Sequence, residues 1–204
     1  MINVTIDGPK GSGKSTLAKK LAKRLNNHHF YFGPEKSYTK PEVNEEYIKM
    51  KDSKEGYILE RGPLSDFIFL ATRPWFPEIE IGVKKDENGI NTPDLKINWL
   101  PINIEMLSNY FKNATLNIIL YASDETTLTY NLNNRKKEIG KYANTEELKY
   151  LTLENKFYKF LAETARDFAD LDNVLILDIS NYSYDTIDRI VMERFRFFER
   201  LKMI

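Results

Sequence analysis

Short apolar runs recur along this chain, and most of them are followed by residues with helical spacing. Five runs have the length and continuous apolar character of buried parallel strands, namely residues 2–6, 29–32, 57–59, 116–121 and 174–177. Because these strands alternate with helices, the pattern predicts a three-layer α/β fold with a parallel five-stranded sheet. The carboxyl ends of parallel strands share one edge of the sheet, so we expect the ligand site there.

Helical periodicity follows the predicted strands. After the first strand, Leu17, Leu21 and Leu25 recur every four residues with lysines between them. Further helices are predicted over residues 65–72, 124–137, 145–170 and 184–202. Asp124 is placed to cap one of them, and Asn144 with Glu147 has the pattern of a capping box for the next.

Residues 73–101 interrupt the alternation of predicted strands and helices. The segment contains Pro74, Pro77, Pro93 and Pro101. Residues 79–98 within it have the pattern of a β-hairpin that turns at 86–89. We therefore expect residues 1–204 to form a single domain, with this segment inserted beside the acceptor site.

A phosphate-binding motif follows the first strand. Residues 8–15, GPKGSGKS, fit the pattern G-x-x-x-x-G-K-[ST] in full, with a predicted strand before and a predicted helix after. Glycines allow the main chain to approach a phosphate, and the N–H groups at the helix start favour an anion. Lys14 is expected to reach the β- and γ-phosphates of ATP, and the Ser15 hydroxyl to ligate Mg²⁺. The predicted nucleotide-binding residues are Gly8, Lys10, Gly11, Ser12, Gly13, Lys14, Ser15 and Thr16.

A second polar pair ends the strand at residues 57–59. Glu60 could accept a proton from the acceptor or hold Mg²⁺ through water, and Arg61 could bridge donor and acceptor phosphates. The alternative is a solvated ion pair where a strand stops. The P-loop upstream favours the functional interpretation.

These motifs resemble those of the P-loop nucleoside monophosphate kinases. Residues 5–16 are similar to cytidylate and thymidylate kinases, and Glu60-Arg61 is similar to the Asp-Arg of thymidylate kinases and the Glu-Arg-Ser of deoxynucleoside kinases. Residues 177–183 resemble the last strand and adenine-side loop of these proteins. The resemblance implies a P-loop NTPase fold and a kinase, with Asn181 and Tyr182 on the adenine side.

A basic segment lies between two predicted helices. Residues 134–141, NRKKEIGK, fall where the related kinases carry a basic lid that closes over the transferred phosphate. We expect a lid at about 134–144, with Arg135 as its first catalytic candidate. The alternative is a solvated helix C-terminus, where Lys and Arg are favoured in any case.

Candidates for the acceptor pocket follow the second and third strands. Glu35 could act as general base in place of Glu60. Lys36 and Arg73 could pair with a phosphate on the acceptor. Aromatic residues that could stack on a nucleobase are Phe32, Tyr38, Trp75 and Phe76, although each could equally be a packing residue. His28 and His29 are adjacent in a strand and point to opposite faces, so no role is assigned to them.

Composition narrows the function classes. The chain has 204 residues, 42% of them hydrophobic, with a formal net charge of zero and no cysteine. Disulfides, thiolate metal sites and thiol catalysis are therefore excluded. A net charge of zero disfavours a protein whose main function is to bind nucleic acid. No basic and apolar leader or membrane-length apolar run is present, so we expect a cytoplasmic protein with no membrane partner.

The sequence thus predicts an ATP- and Mg²⁺-dependent phosphotransferase that acts on a (deoxy)nucleoside or its monophosphate and is thymidylate kinase-like. Three alternatives stay open: a polynucleotide 5′-hydroxyl kinase, a P-loop kinase for another small molecule, and a nucleotide-binding switch protein. The expected partners are small-molecule substrates, without a stable nucleic-acid complex. The oligomeric state is open, with a homodimer as one option.

Overall fold

The structure is a computed structural model that describes residues 2–31, 45, 48, 56–73, 79–85, 91–97, 114–138, 140, 143–167 and 173–200. The strands in these ranges are Val4–Asp7 (β1), His28–Tyr31 (β2), Tyr57–Glu60 (β3), Ile79–Lys85 (β4), Asn91–Ile97 (β5), Leu116–Tyr121 (β6) and Val174–Asp178 (β7). The helices are Lys14–Leu25 (α1), Pro63–Ala71 (α2), Glu125–Lys137 (α3), Thr145–Asp167 (α4) and Tyr184–Arg200 (α5).

Five of these strands form one parallel sheet in the order β2-β3-β1-β6-β7. The predicted five-stranded parallel sheet is therefore confirmed. β1 lies at its centre, paired with β3 on one side and β6 on the other. In this register Ile6 lies opposite Glu60, so the ends of β1 and β3 emerge side by side. This neighbour relation brings the P-loop next to the Glu60-Arg61 pair.

Hydrophobic side chains cover both faces of the sheet, because alternate strand residues point to opposite sides. On β6, Ile118 and Leu120 pack with the core residues of α1, α3 and α5, while Ile119 and Tyr121 pack with those of α2 and α4. Leu17 and Leu21 are fully buried, as their four-residue spacing predicts. The result is the expected three-layer arrangement, with helices on each side of the sheet.

The starts of α3 and α4 have the side-chain caps that the sequence predicts. The backbone N–H of Thr126 donates to Asp124 Oδ1 at 2.9 Å, which caps α3. At α4, Glu147 N–H donates to Asn144 Oδ1 at 2.8 Å, and Asn144 N–H donates to Glu147 Oε2 at 3.2 Å. The second arrangement is a complete capping box. Within the described residues no helix is both long and apolar enough to cross a membrane.

The predicted hairpin is present as β4 and β5, which pair in antiparallel register from Ile79 opposite Ile97 to Lys85 opposite Asn91. The predicted turn at 86–89 lies outside the described residues. So do most of the prolines of the segment 73–101. The position of the segment 73–101 beside the acceptor site therefore stays a prediction.

Candidate active site

The P-loop connects the end of β1 to the start of α1. Gly11 and Gly13 have φ values of 83° and 84°, in the left-handed region that favours glycine. A Cβ on Gly11 would lie 3.0 Å from the carbonyl oxygen of Leu128, and one on Gly13 would lie 3.3 Å from the ring of Tyr184. The Ser12 hydroxyl is buried and has no hydrogen-bond partner among the described residues. The loop thus offers bare main chain and a buried hydroxyl, which suits a phosphate group.

Lys14 is buried at the start of α1, with only 5% of its surface exposed. Its Nζ donates to the carbonyl oxygens of Gly8 and Pro9, both at 2.6 Å. Burial, with the positive charge of Arg61 as the second cause, lowers the pKa of Lys14 to about 7, while nearby carboxylates act in the opposite direction. A buried ammonium group in this position gains strongly from an anionic ligand, as the P-loop motif requires.

Ser15 contacts the acid at the end of β3. Its Oγ donates to Glu60 Oε1 at 2.5 Å, and Glu60 is 2% exposed. The other carboxylate oxygen, Oε2, lies 3.2 Å from His29 Nε2 on β2. The structure thus brings together the two residues predicted as metal ligands, and adds a histidine to which the sequence assigned no role.

No signal in the sequence distinguishes His29 from His28. The contact arises because β2 pairs with β3, with His29 opposite Ile58 and Tyr31 opposite Glu60. A strand pattern gives no information on which neighbour a strand will choose. The role of His29 therefore becomes visible only when the order of the sheet is known.

Arg61 follows Glu60 and adopts a left-handed backbone conformation, with φ at 63°. Its N–H donates to the carbonyl oxygen of Ile6 on β1 at 3.2 Å. Its guanidinium is close enough to Lys14 for their charges to interact. Lys14 and Arg61, predicted as a pair of phosphate-binding cations, are therefore neighbours at the carboxyl edge of the sheet.

The basic end of α3 is joined to the P-loop through α4. Glu147 forms one ion pair with Lys10 of the P-loop, at 3.2 Å, and another with Lys136. The Lys136 bond is the main cause that lowers the pKa of Glu147 to about 2. Arg135, the first candidate from the sequence, is exposed at the same helix end. Of the basic residues at this end of α3, Lys136 is thus the one seen in contact with Glu147, and a role for Arg135 stays a prediction.

A cleft of about 210 Å³ lies between the P-loop and α4. Lys10, Arg73 and Glu154 contribute to its lining. Arg73 Nη2 donates to Glu154 Oε1 at 2.9 Å, and its guanidinium stacks on the rings of Phe69 and Tyr150, at 4.1 Å and 4.3 Å from their centroids. Arg73 is therefore held in the lining of the cleft. Its pairing with an acceptor phosphate stays a prediction.

The remaining acceptor candidates lie outside the described residues; they are Phe32, Glu35, Lys36, Tyr38, Trp75 and Phe76. On the predicted adenine side, Asn181 Nδ2 donates to Asp178 Oδ2 at 2.7 Å, and Tyr182 is 43% exposed. Both residues lie between β7 and α5. Thr16 is exposed on the first turn of α1.

A buried polar network that the sequence did not predict connects β1 with α2 and α4. Asp7 Oδ1 accepts hydrogen bonds from the N–H of Gly62, the N–H of Ser65 and the Oγ of Ser65, at 3.2, 3.2 and 2.5 Å. The hydroxyl of Tyr158 lies 2.8 Å from Ser65 Oγ. The only signal in the sequence was the position of Asp7 at the end of an apolar strand, directly before the P-loop.

Comparison with known proteins agrees with this architecture. The cytidylate kinase family model matches residues 4–34, which include β1, the P-loop and α1. No curated protein sequence matches the chain at a significant level.

Solved structures match nearly the whole chain at low identity. The YorR protein from Bacillus subtilis, in complex with phosphorylated GDP, has a TM-score of 0.64 and 17% identity over 97% of this chain and 96% of that one. A deoxyadenosine kinase from M. mycoides, with the products dCMP and a flexible dCDP bound, has a TM-score of 0.56 and 17% identity over 96% and 99%. A gluconokinase from Sinorhizobium meliloti 1021 has a TM-score of 0.50 and 12% identity over 99% and 96%. The chain therefore has the α/β fold of the P-loop kinases, in agreement with the resemblance of residues 5–16.

Proposed function

We propose that the chain is an ATP- and Mg²⁺-dependent phosphotransferase whose acceptor is a (deoxy)nucleoside or a (deoxy)nucleoside monophosphate. The observation that carries the proposal is the hydrogen bond of 2.5 Å between Ser15 of the P-loop and Glu60 at the end of β3. It joins the phosphate-binding motif to an acid that is followed directly by Arg61. An acid and an arginine beside the phosphates suit transfer to a second bound molecule.

The donor side fits ATP with Mg²⁺. Ser15 Oγ and Glu60 Oε1 are hard oxygen donors that lie next to each other, the ligand type that Mg²⁺ prefers. Mg²⁺ usually keeps several waters and binds one or two protein oxygens together with substrate phosphates. When bound, it would neutralise charge on the β- and γ-phosphates. Ser15 and Glu60 are the residues that would hold it.

Side chains of the protein would stabilise the transferred phosphoryl group and orient the acceptor. Lys14 and Arg61 would spread the negative charge that develops on the transferring phosphoryl group. Glu60, or Glu35 outside the described residues, would orient the acceptor and take the proton of a 5′-hydroxyl. A monophosphate acceptor is already ionised and needs no strong base. The lid cations Arg135 and Lys136 would add charge when the lid closes.

The nucleoside part of the proposal is supported by the related folds and by the cleft. One matched structure is a deoxyadenosine kinase with bound dATP, and another contains phosphorylated GDP. The described cleft is lined by Arg73, Tyr150 and polar side chains, which suit a polar ligand. The residues proposed to contact the acceptor are Phe32, Lys36, Tyr38, Arg73 and Trp75. Asn181 and Tyr182 are proposed to contact the adenine of ATP.

The proposal is tested by a screen of all nucleosides and nucleoside monophosphates with ATP and Mg²⁺. Gluconate and a 5′-hydroxyl oligonucleotide are included as acceptors of other classes. A kinase should hydrolyse ATP slowly alone and form ADP rapidly with its acceptor. Lys14→Ala should abolish turnover while the circular dichroism spectrum and Tm show a retained fold. Lys19→Ala, an exposed lysine on the same helix, is the matched control and should stay active.

Two outcomes would contradict the proposal. A chain that binds no nucleoside triphosphate would lack the P-loop function altogether. A chain whose ATP hydrolysis is the same with every acceptor would be a nucleotide-binding protein of the switch class.

A further inference from the structure

Asp7 occupies an unusual position for an acid, because it ends the central strand and is 1% exposed. Its Oδ1 accepts from two N–H groups at the start of α2, those of Gly62 and Ser65, and from the Ser65 hydroxyl. A carboxylate at the first turn of a helix satisfies N–H groups that have no partner inside the helix. Asp7 thus acts as a cap for α2 although it lies 58 residues before Ser65 in the sequence.

Hydrogen bonds to β1 also hold the main chain on both sides of Arg61. Its own N–H donates to the carbonyl oxygen of Ile6, and the next N–H, that of Gly62, donates to Asp7. Both peptide groups that flank Arg61 are therefore bonded to consecutive residues of β1. A residue other than glycine rarely keeps a φ of 63°, and it does so only where the surrounding structure imposes it.

Ser65 connects this arrangement to α4, which packs on the same face of the sheet as α2. Its hydroxyl donates to the acceptor Asp7, so it accepts the bond that joins it to Tyr158 of α4. Tyr158 is 1% exposed. Burial, with the negative charge of Asp7 as the second cause, raises the pKa of Tyr158 well above its ordinary value, so the phenol keeps its proton.

We propose that Asp7 is a positioning residue for the phosphotransfer reaction: it fixes the left-handed turn at Arg61 and so directs the guanidinium towards the P-loop. The inference rests on the proposed function, since it names how the proposed phosphate-binding arginine is held. A side chain that must contact a transferring phosphoryl group has little tolerance for displacement. Strain at this turn is thus retained because an arginine is needed there.

A double-mutant cycle on turnover tests the catalytic half of the proposal. Asp7→Ala is expected to lower kcat by about 10- to 100-fold with much less change in the KM for ATP. In the Arg61→Ala background the same change should lower kcat by less than about 2-fold, because Asp7 acts through Arg61. Ser65→Ala, which removes one arm of the network and keeps both N–H donors, should show the same dependence with a smaller loss.

Asp178→Ala provides the matched control. Asp178 also ends a strand, and its Oδ1 accepts from the N–H groups of Ser123 and Ser180. Whatever its own effect on kcat, that effect should be the same in the presence and absence of Arg61. The proposal would be overturned if Asp7→Ala lowered kcat by the same factor with Arg61 and with Arg61→Ala. It would also be overturned if a folded Asp7→Ala chain had an unchanged kcat. If Asp7→Ala does not fold, Ser65→Ala decides by the same criteria.

A second double-mutant cycle tests whether Asp7 fixes the main-chain turn at Arg61. It measures Tm and requires no enzymatic activity. If Asp7 imposes the left-handed turn, Arg61→Gly should have a higher Tm than Arg61→Ala, and this difference should disappear when Asp7 is replaced by alanine. A difference that persists without Asp7 would show that other contacts fix the turn. Absence of turnover by the unsubstituted chain with every acceptor would instead refute the proposed function and, with it, the catalytic half.

Discussion

The P-loop and the turn after β3 both contain residues with positive φ, but they place different residue types there. The P-loop uses glycine at 11 and 13, whereas the turn uses Arg61. At Gly11 the main chain passes so close to α3 that a Cβ would meet the Leu128 carbonyl oxygen at 3.0 Å. In the proposed function the P-loop holds phosphate through its N–H groups, so a side chain there would only obstruct binding. At the turn the proposed function requires the Arg61 side chain, which would account for a non-glycine residue at this φ.

The two regions also differ in what holds them. The P-loop is a continuous motif between one strand and the next helix, so consecutive residues encode most of its geometry. The turn at Arg61 depends on hydrogen bonds to Ile6 and Asp7, which lie far earlier in the chain. A donor site of this kind can be inferred from the sequence, whereas the geometry of the turn requires the assembled sheet.

The largest expected effect is loss of turnover when the guanidinium is removed. Arg61→Ala and Arg61→Gly should each lower kcat by about 10²- to 10³-fold, the size observed when one group that stabilises a transition-state charge is lost. The two variants should agree, because both lack the side chain that is proposed to contact phosphate. The measurement is kcat with the best acceptor of the screen.

Arg189→Ala is the control for this loss of turnover. Arg189 is a largely exposed arginine on α5 that pairs weakly with Glu193. Its replacement should leave kcat close to that of the unsubstituted chain. A kcat within about 3-fold of the unsubstituted value for both Arg61 variants would remove Arg61 from the mechanism.

The next effect is on stability, and it should have opposite signs in the two regions. Gly11→Ala should lower the free energy of unfolding by about 2 kcal/mol, from the positive φ and the close contact with Leu128. Arg61→Gly should be more stable than Arg61→Ala by about 1 kcal/mol, because glycine carries no penalty at this φ. Both are measured by urea unfolding.

Gly140 separates the two causes at Gly11. Its φ is 69°, but a Cβ would meet nothing within 4 Å. Gly140→Ala should therefore cost only the conformational part, about 1 kcal/mol. If Gly11→Ala costs no more than Gly140→Ala, the contact with Leu128 contributes nothing and the P-loop is less constrained than its geometry indicates.

The sequence was sufficient for the parts of the structure that depend on local pattern. Apolar runs predicted the five parallel strands, and short polar signals predicted the caps at Asp124 and Asn144. His29 and Tyr158 could not be inferred, because their roles depend on which strand lies beside β3 and which helix covers α2. Lys136 rather than Arg135 contacts Glu147 for a similar reason. The rotation of α3 about its axis relative to α4 determines which basic side chain reaches Glu147. Adjacent basic residues in a sequence give no information on that rotation.

A smaller effect is expected at the far end of the Asp7 network. Tyr158→Phe removes the hydroxyl that contacts Ser65 and should lower the free energy of unfolding by about 1 kcal/mol. The ring and its packing are kept, so any loss reports the hydrogen bond. In the Ser65→Ala background the cost should fall well below that value. An equal cost in both backgrounds would mean that the Tyr158 hydroxyl is stabilised by something other than Ser65.

The smallest expected effect concerns Glu147, which joins Lys10 of the P-loop to Lys136 at the end of α3. Its pKa falls from an ordinary 4.5 to about 2, chiefly through the bond from Lys136. Between these pH values the unfolded chain binds more protons at this residue, so its contribution to stability is present above about pH 4.5 and is lost as the pH falls towards 2. Because the carboxylate is partly exposed, we expect only about 0.5 kcal/mol.

Glu147→Gln is the informative variant because glutamine can also complete the capping box with Asn144, so the charge is removed and the cap is kept. Urea unfolding near neutral pH should show the unsubstituted chain slightly more stable than Glu147→Gln, and this difference should vanish as the pH approaches 2. Glu147→Ala should lose more at every pH, since it also lacks the cap. If the unsubstituted chain and Glu147→Gln differed by the same amount at both pH values, the carboxylate would act only as a cap. The ion pairs from Glu147 to the P-loop and to the end of α3 would then contribute nothing to stability through charge.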